Sequence, residues 1–155
     1  MSNYEFYILL LSTMCFGAVI GAYSGTIEYR IRKNLPLITT KCYCPICNHE
    51  LSVWFQFPVL SWIALGGKCY YCKSKISFRY PFIEAGFTAI YIISFLFLHQ
   101  KPLLLISIWI FFIGVFLLLR CNKNYRMMIK GFFIMLLYHL LYGGVLMLVI
   151  LASNS

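Results

Sequence analysis

The sequence predicts an all-helical membrane protein with about four transmembrane helices and one small zinc ribbon-like insert. The mean hydropathy is +0.83 and only 11% of the residues are charged, whereas charged residues make up about a quarter of a soluble domain. Four apolar runs approach the roughly 20 residues that a helix needs to cross the hydrocarbon core; they lie at residues 6–27, 82–98, 103–119 and 131–151. The insert is predicted from two Cys-x-x-Cys pairs between the first two runs.

The first apolar run is expected to remain in the protein as an uncleaved span. No Lys or Arg precedes it and a basic segment follows it, which is the reverse of the arrangement in a cleaved signal peptide. Within the run, Gly17, Gly21 and Gly25 recur at four-residue spacing, so that one helix face is open to close approach by another helix. The stripe suits packing within the bundle or a dimer contact, and we expect the former.

The basic residues predict the orientation in the membrane. All but one of the 13 Lys and Arg residues fall either between the first and second apolar runs or between the third and fourth, Lys101 being the exception. By the positive-inside rule these two loops face the cytoplasm, and both termini lie outside. Because no basic stripe exists apart from these loops, we expect the lipid bilayer and no nucleic acid as a partner.

The two cysteine pairs predict a structural zinc site. Cys44, Cys47, Cys69 and Cys72 supply four thiolates at the spacing of a tetrahedral site, and a cytoplasmic loop keeps its thiols reduced. The alternative is a redox role for a Cys-x-x-Cys motif. The presence of two such pairs rather than one argues against it. A loop of this size buries little core, so zinc would supply much of its folding free energy, on the order of 10 kcal/mol.

The remaining thiols and a nearby histidine are secondary candidates. Cys15, Cys42 and Cys121 are interpreted as spare thiols, although Cys42 could exchange for Cys44. His49 follows the first pair closely enough to donate a hydrogen bond to it, or else is exposed.

The remaining candidates are two tryptophans of the insert and two polar residues of the fourth apolar run. Trp54 and Trp62, between the cysteine pairs, predict a segment that packs on the ribbon or lies in the headgroup layer. In the fourth apolar run, His139 and Tyr142 are expected to form interhelical hydrogen bonds.

Acidic residues are scarce, which limits the chemistry. The sequence holds no aspartate and four glutamates, at positions 5, 28, 50 and 84. Glu84 lies just inside the second apolar run, where a carboxylate is costly unless it is paired or faces water. It is either a functional group or the partner of Arg79 or Arg30 in a salt bridge. Glu28, at the end of the first span, is a weaker candidate.

Several segments together carry a resemblance to a known family. They are Cys44-Pro45-Ile46-Cys47, Phe57-Pro58-Val59-Leu60-Ser61-Trp62, Gly67-Lys68-Cys69-Tyr70-Tyr71-Cys72 and Ile76-Ser77-Phe78-Arg79-Tyr80-Pro81-Phe82-Ile83-Glu84, with Gly21-Ala22-Tyr23 and Tyr29-Arg30 upstream. Over about residues 17–86 the chain resembles the amino-terminal part of bacterial prepilin leader peptidases. Those bifunctional enzymes cleave and N-methylate type IV pilin-like precursors.

The resemblance does not extend to peptide cleavage. The family's peptidase activity needs two aspartates with separated pKa values. Here the place of the first falls within residues 119–128, which hold no acidic group, and the helices for the second are not present. We therefore expect no autonomous proteolysis and assign no residue to it.

What the resemblance does imply is methyl transfer. In the family, the cysteine-bearing domain is associated with S-adenosylmethionine-dependent methylation of the new pilin amino terminus. The four cysteines and Glu84 carry over, and Glu84 could serve as the base or as an anionic clamp for the amine. No glycine-rich loop marks a cofactor pocket, so S-adenosylmethionine enters by resemblance alone. Two positions depart: Gly25 replaces an asparagine, and Glu28 an aliphatic residue.

Two hypotheses result for a multi-pass protein of the bacterial inner membrane. The first is a methyltransferase-type or substrate-handling part of pilin precursor processing, acting beside a separate aspartate-bearing peptidase subunit. The second is a non-catalytic membrane scaffold or a pilus, secretion or competence assembly factor with a structural zinc site. The predicted organisation is a first transmembrane helix at 1–29, a cysteine-rich loop domain at 30–80 and a three-helix region at 81–155.

Overall fold

The structure, a computed structural model, describes residues 2–38, 42–120 and 125–154. The four long helices are α1 (Asn3–Lys33), α3 (Arg79–Leu98), α4 (Pro102–Arg120) and α5 (Tyr125–Asn154); between α1 and α3 lie a 3₁₀ turn (Val53–Gln56) and the short helix α2 (Leu60–Ala64). Each long helix is long and apolar enough to cross a membrane. The described residues form no extended strand, only two isolated bridges in the cysteine-rich segment. The predicted fold class is confirmed.

Helix α1 begins at a capping box and ends later than its sequence suggested. The Ser2 hydroxyl accepts from the Glu5 N–H, and the Glu5 carboxylate accepts from the Ser2 N–H at 2.6 Å. We expected the helix to end at residues 28–30, but α1 continues to Lys33. Arg32, one turn after Glu28, pairs with its carboxylate at 2.9 Å, and this pairing favours another helical turn.

The glycine stripe of α1 packs against α3. A Cβ atom at Gly17 would lie 2.9 Å from Cβ of Tyr91, and one at Gly21 would lie 2.8 Å from Cα of Glu84. Only glycine allows the two backbones to come this close. The stripe therefore serves packing within the bundle, as expected.

The membrane core contains a polar contact between α3 and α5. His139 is buried, and its Nδ1 lies 2.7 Å from the carbonyl of Met135. Since a carbonyl only accepts, Nδ1 carries the proton, and Nε2 accepts from the hydroxyl of Tyr91. The Tyr91 ring also stacks on Trp109 of α4, with centroids 4.5 Å apart. One side chain thus links three helices.

A second polar contact joins α5 to α1, nearer the amino-terminal end of α1. The Tyr142 hydroxyl lies 3.0 Å from Ser12 Oγ and 3.1 Å from Thr13 Oγ1. The prediction that His139 and Tyr142 form interhelical hydrogen bonds is confirmed.

The close approach of α1 and α3 predicts the effect of adding one methyl group. Gly21→Ala should lower the free energy of unfolding by about 1–3 kcal/mol, because the new Cβ meets backbone that must shift. Gly144→Ala is the matched control, since nothing lies within 4 Å of a Cβ there; it should be neutral or stabilise by up to about 1 kcal/mol. Unfolding in mixed micelles measures both, and equal effects at the two sites would contradict the packing.

Candidate metal centre

Each cysteine pair lies in a tight turn closed by two backbone hydrogen bonds. In the first turn, the Cys44 N–H donates to the carbonyl of His49 at 3.0 Å, and the Asn48 N–H donates to the carbonyl of Cys44 at 2.9 Å. A bridge between Tyr43 and Glu50 extends the turn on both sides. The turn leaves backbone N–H groups directed at the cysteine sulfurs.

The second turn repeats this geometry. The Cys69 N–H donates to the backbone carbonyl of Ser74 at 2.8 Å, and the Lys73 N–H donates to the carbonyl of Cys69 at 3.0 Å. Lys73 takes up the left-handed conformation with φ of 57°, as Asn48 does in the first turn with φ of 54°. The two halves of the site therefore share one local backbone conformation, which Asn adopts more readily than Lys does.

The two turns face each other and bring four sulfurs together. The Sγ atoms of Cys44, Cys47, Cys69 and Cys72 all lie within 4.8 Å of one another, and those of Cys44 and Cys72 are 3.9 Å apart. Sulfurs bound tetrahedrally to zinc at about 2.3 Å are about 3.8 Å apart. The donor set and its spacing therefore fit one zinc-sized ion.

The two other cysteines that the structure describes have no place in this cluster. The described thiols Cys15 and Cys42 lie outside it, and Cys42 contributes its carbonyl to a hydrogen bond from Leu51 at 2.8 Å. Exchange of Cys42 for Cys44 is therefore not observed. Cys121 falls outside the described residues.

The thiols of the cluster differ in acidity. Burial raises the pKa of Cys44, but N–H donors from Cys47 and the residue before it outweigh burial and bring the pKa to about 6. For Cys47, the His49 N–H lowers the pKa, yet burial and the adjoining thiols outweigh it and raise the pKa to about 11. The hydroxyl and N–H of Ser74 lower the pKa of Cys72. Crowded thiols compete for ionisation in this way, and a bound cation relieves the competition.

His49 contributes its backbone to the site. The backbone N–H of His49 donates to the sulfur of Cys47. Its exposed imidazole instead lies against the ring of Tyr71, with centroids 3.6 Å apart. Both alternatives from the sequence therefore apply, one to the main chain and one to the side chain.

Trp62 anchors the segment between the cysteine pairs. Its Nε1 donates to the carbonyl of Ile76 at 3.2 Å, and its ring lies so close to Gly67 that a Cβ there would be 2.7 Å away. Trp54, by contrast, is 76% exposed. Of the two alternatives for this aromatic segment, packing on the cysteine turns applies to Trp62.

Glu84 connects α3 to the loop rather than to an arginine. The half-buried carboxylate accepts from the N–H of Val59 at 2.6 Å through Oε2. Within the described part of the chain, neither expected salt bridge forms, because Arg79 pairs with Glu28 and Arg30 donates to the carbonyls of residues 36 and 37. Val59 has a φ of 58°, a strained value for a β-branched residue. Glu84 thus holds an unfavourable turn in place.

Sequence reasoning underestimated Glu28. The residue is buried, with 2% of its surface exposed, and Arg32, Arg79 and Arg120 all contact its Oε1 atom. The four-residue spacing from Glu28 to Arg32 is a sequence signal for one of these pairs. The other two arginines come from distant helices and gave no such signal.

Comparison with known proteins identifies the family. Residues 15–99, more than half of the chain, match the family model of the bacterial peptidase A24 N-terminal domain. The chain belongs to this family. The matched range holds most of α1, both cysteine turns and all of α3.

Three curated relatives share the name prepilin leader peptidase/N-methyltransferase. The Legionella pneumophila protein is 35% identical over 86 residues, which cover 54% of this chain and 30% of the relative. The Vibrio cholerae protein is 29% identical over 97 residues, covering 57% and 37%, and that of Stutzerimonas stutzeri is 51% identical over 41 residues, covering 26% and 14%. The matched segments thus cover between 14% and 37% of these relatives, so the chain spans well under two thirds of their length. No solved structure matches it significantly.

The sulfur cluster predicts which cysteine controls the metal content. If its four thiolates hold zinc, the purified chain should carry about one zinc ion, and Cys69→Ser should lose most of it because three ligands no longer close the site. Cys42→Ser, a thiol of the same segment outside the cluster, is the control and should retain the metal. Elemental analysis after dialysis measures both. Equal zinc in the two variants would contradict the assignment.

Proposed function

We propose that this A24 N-terminal chain is a methyltransferase-type or substrate-handling part of type IV pilin-like precursor processing in the bacterial inner membrane. Its family and the name of its curated relatives support this role. The observation that carries the proposal is Glu84, a half-buried carboxylate that joins a membrane helix to the cysteine-rich loop.

Peptide cleavage is not part of the proposal. These 155 residues contain no aspartate, so they cannot supply the two-aspartate site of the resembled peptidases. In the proposed arrangement, a separate aspartate-bearing subunit supplies the carboxyls and produces the new amino terminus of the precursor.

Glu84 has the chemistry that amine methylation requires. An amine is protonated at neutral pH and must lose a proton before its lone pair can attack a methyl donor. A carboxylate can accept that proton or hold the ammonium group by charge. The hydrogen bond from Val59 occupies Oε2 and fixes the position of the carboxylate. Its place at the start of α3 suits an acceptor whose apolar segment lies in the bilayer.

The cysteine cluster has a structural role in this proposal. Cys44, Cys47, Cys69 and Cys72 would hold zinc with four thiolates, a closed set that leaves no position for substrate. The ion would keep the two turns together and so keep Val59 within reach of Glu84.

The glycine turn of the described residues offers no cradle for S-adenosylmethionine. That cofactor carries a methyl group on a sulfonium ion. The one paired-glycine turn, Gly66-Gly67, has positive φ at both residues, but the space beside Gly67 is filled by the ring of Trp62. We therefore assign no residue to the cofactor.

The proposed orientation follows from charge and helix number. The basic segments between α1 and α3 and between α4 and α5 are placed in the cytoplasm by the positive-inside rule, and four spans return the chain to its starting side. An alkaline phosphatase fusion after residue 155 should be active, whereas a fusion after Arg126 should not. The reverse pattern would place the cysteine segment outside.

The second candidate is a non-catalytic scaffold with the same zinc site. Gly25 stands in place of the family's asparagine and offers no polar group. A Cβ atom added there would lie 3.5 Å from the ring of Tyr80. The Glu28 carboxylate already forms ion pairs with three arginines. Both observations suit a chain that binds pilin-like precursors or assembly partners without modifying them.

Substitution of Glu84 separates the two candidates. Purified chain, labelled S-adenosylmethionine and a processed pilin peptide should yield labelled peptide, and Glu84→Gln should lower the rate at least about 100-fold, since the amide still accepts from Val59 but takes up no proton. Glu50→Gln, an exposed glutamate of the loop, is the control and should leave the rate unchanged.

The alternative outcomes are distinct. Full activity of Glu84→Gln would remove Glu84 from the chemistry. Absence of labelled product with the unsubstituted chain, while the peptide still binds, would favour the scaffold.

A further inference from the structure

Three helices end at one point on the predicted cytoplasmic side of the bundle. Arg32 lies in the last turn of α1, Arg79 is the first residue of α3 and Arg120 is the last residue of α4. The guanidinium groups of all three contact Oε1 of Glu28, at 2.9 Å for Arg32 and 3.3 Å for Arg120, with Arg79 also bonded to it. We refer to these three residues as the arginine cluster.

We propose that the arginine cluster binds the phosphate group of an anionic phospholipid. Such lipid binding is independent of methyl transfer and follows from the charge, the exposure and the geometry of the cluster.

The cluster has more positive charge than its carboxylate neutralises. Within the described residues, one carboxylate faces three guanidinium groups, so two positive charges remain. The Glu28 side chain is 3% exposed, whereas those of the arginines are 40–51% exposed. The negative charge is therefore enclosed and the positive charge faces outward.

The donors of the cluster exceed what Glu28 can accept. Each guanidinium carries five N–H donors in a planar fork, and all three groups share one carboxylate oxygen. One further donor is used inside the cluster, where Arg32 Nη2 donates to the carbonyl of Arg120 at 3.3 Å. Many donors remain for a group with several anionic oxygens, and guanidinium forks match phosphate oxygens in pairs.

The enclosed carboxylate distinguishes this cluster from scattered basic residues at helix ends. Three like charges so close would repel one another, and Glu28 holds them together before any ligand arrives. The cluster lies at the ends of three helices that are long and apolar enough to cross a membrane, where lipid headgroups are expected. Basic pockets between membrane helices bind anionic headgroups in this way.

Lipid titration of the purified chain tests the proposal. Dioleoyl phosphatidylglycerol should remain bound in native mass spectra and raise the unfolding temperature. Dioleoyl phosphatidylcholine, which bears the same phosphate without net charge, and inorganic phosphate should do neither. Arg79→Gln with Arg120→Gln should weaken phosphatidylglycerol binding about tenfold or more, given the roughly additive effect of each basic residue.

Matched variants guard against misfolding and general charge effects. Arg126→Gln removes an exposed arginine that lies beside Tyr125, outside the cluster, and should change the affinity less than twofold. Arg79→Lys keeps the charge and loses the planar fork, so a partial loss is expected in a folded chain.

Three results would overturn the proposal. The first is equal affinity for phosphatidylglycerol and phosphatidylcholine. The second is an equal loss of affinity in Arg126→Gln and the double variant. The third is inorganic phosphate that binds as tightly as the lipid, which would make this a free-anion site.

Discussion

The cysteine-rich segment depends on four sulfur atoms that lie within 4.8 Å of one another. Between α1 and α3, in the described part of residues 34–78, the buried residues are Leu37, Cys44, Gly67 and Cys69, so the segment has almost no apolar core apart from the cysteines. Without a cation, four neighbouring thiols resist joint ionisation. A metal ion would remove that resistance and take the place of the missing core, as in other small metal-bound domains. We therefore expect the fold of this segment to depend on a bound metal ion.

The long helices fix the position of the cysteine-rich segment through three contacts. Gly17 and Gly21 bring α1 and α3 together, and Gly21 lies against the backbone of Glu84. The Glu84 carboxylate in turn accepts a hydrogen bond from the main chain of Val59. At the helix ends, Glu28 joins α1 to α3 and α4 through its arginines. The loop is therefore held at both of its ends, and Glu84 takes part in both the bundle and the loop.

Local features of this protein were predictable from its sequence, and its long-range pairings were not. Cys44 and Cys47 specify their turn by spacing and chemistry alone, and the apolar runs specify the helices. The contact between Glu84 and Val59 joins residues far apart in sequence, at a strained φ that a β-branched residue normally avoids. The salt bridges expected for Glu84 do not form for a related reason. Arg79 pairs instead with Glu28, whose carboxylate is nearer and more deeply buried. Such competition is decided by tertiary structure.

If one metal ion bound by four thiolates organises the loop beside Glu84, X-ray absorption at the zinc edge of the purified chain should show a first coordination shell of four sulfurs at about 2.3 Å. A shell dominated by nitrogen or oxygen would rule out such an ion. A metal-free folded chain with the cysteines paired in disulfides would rule it out as well.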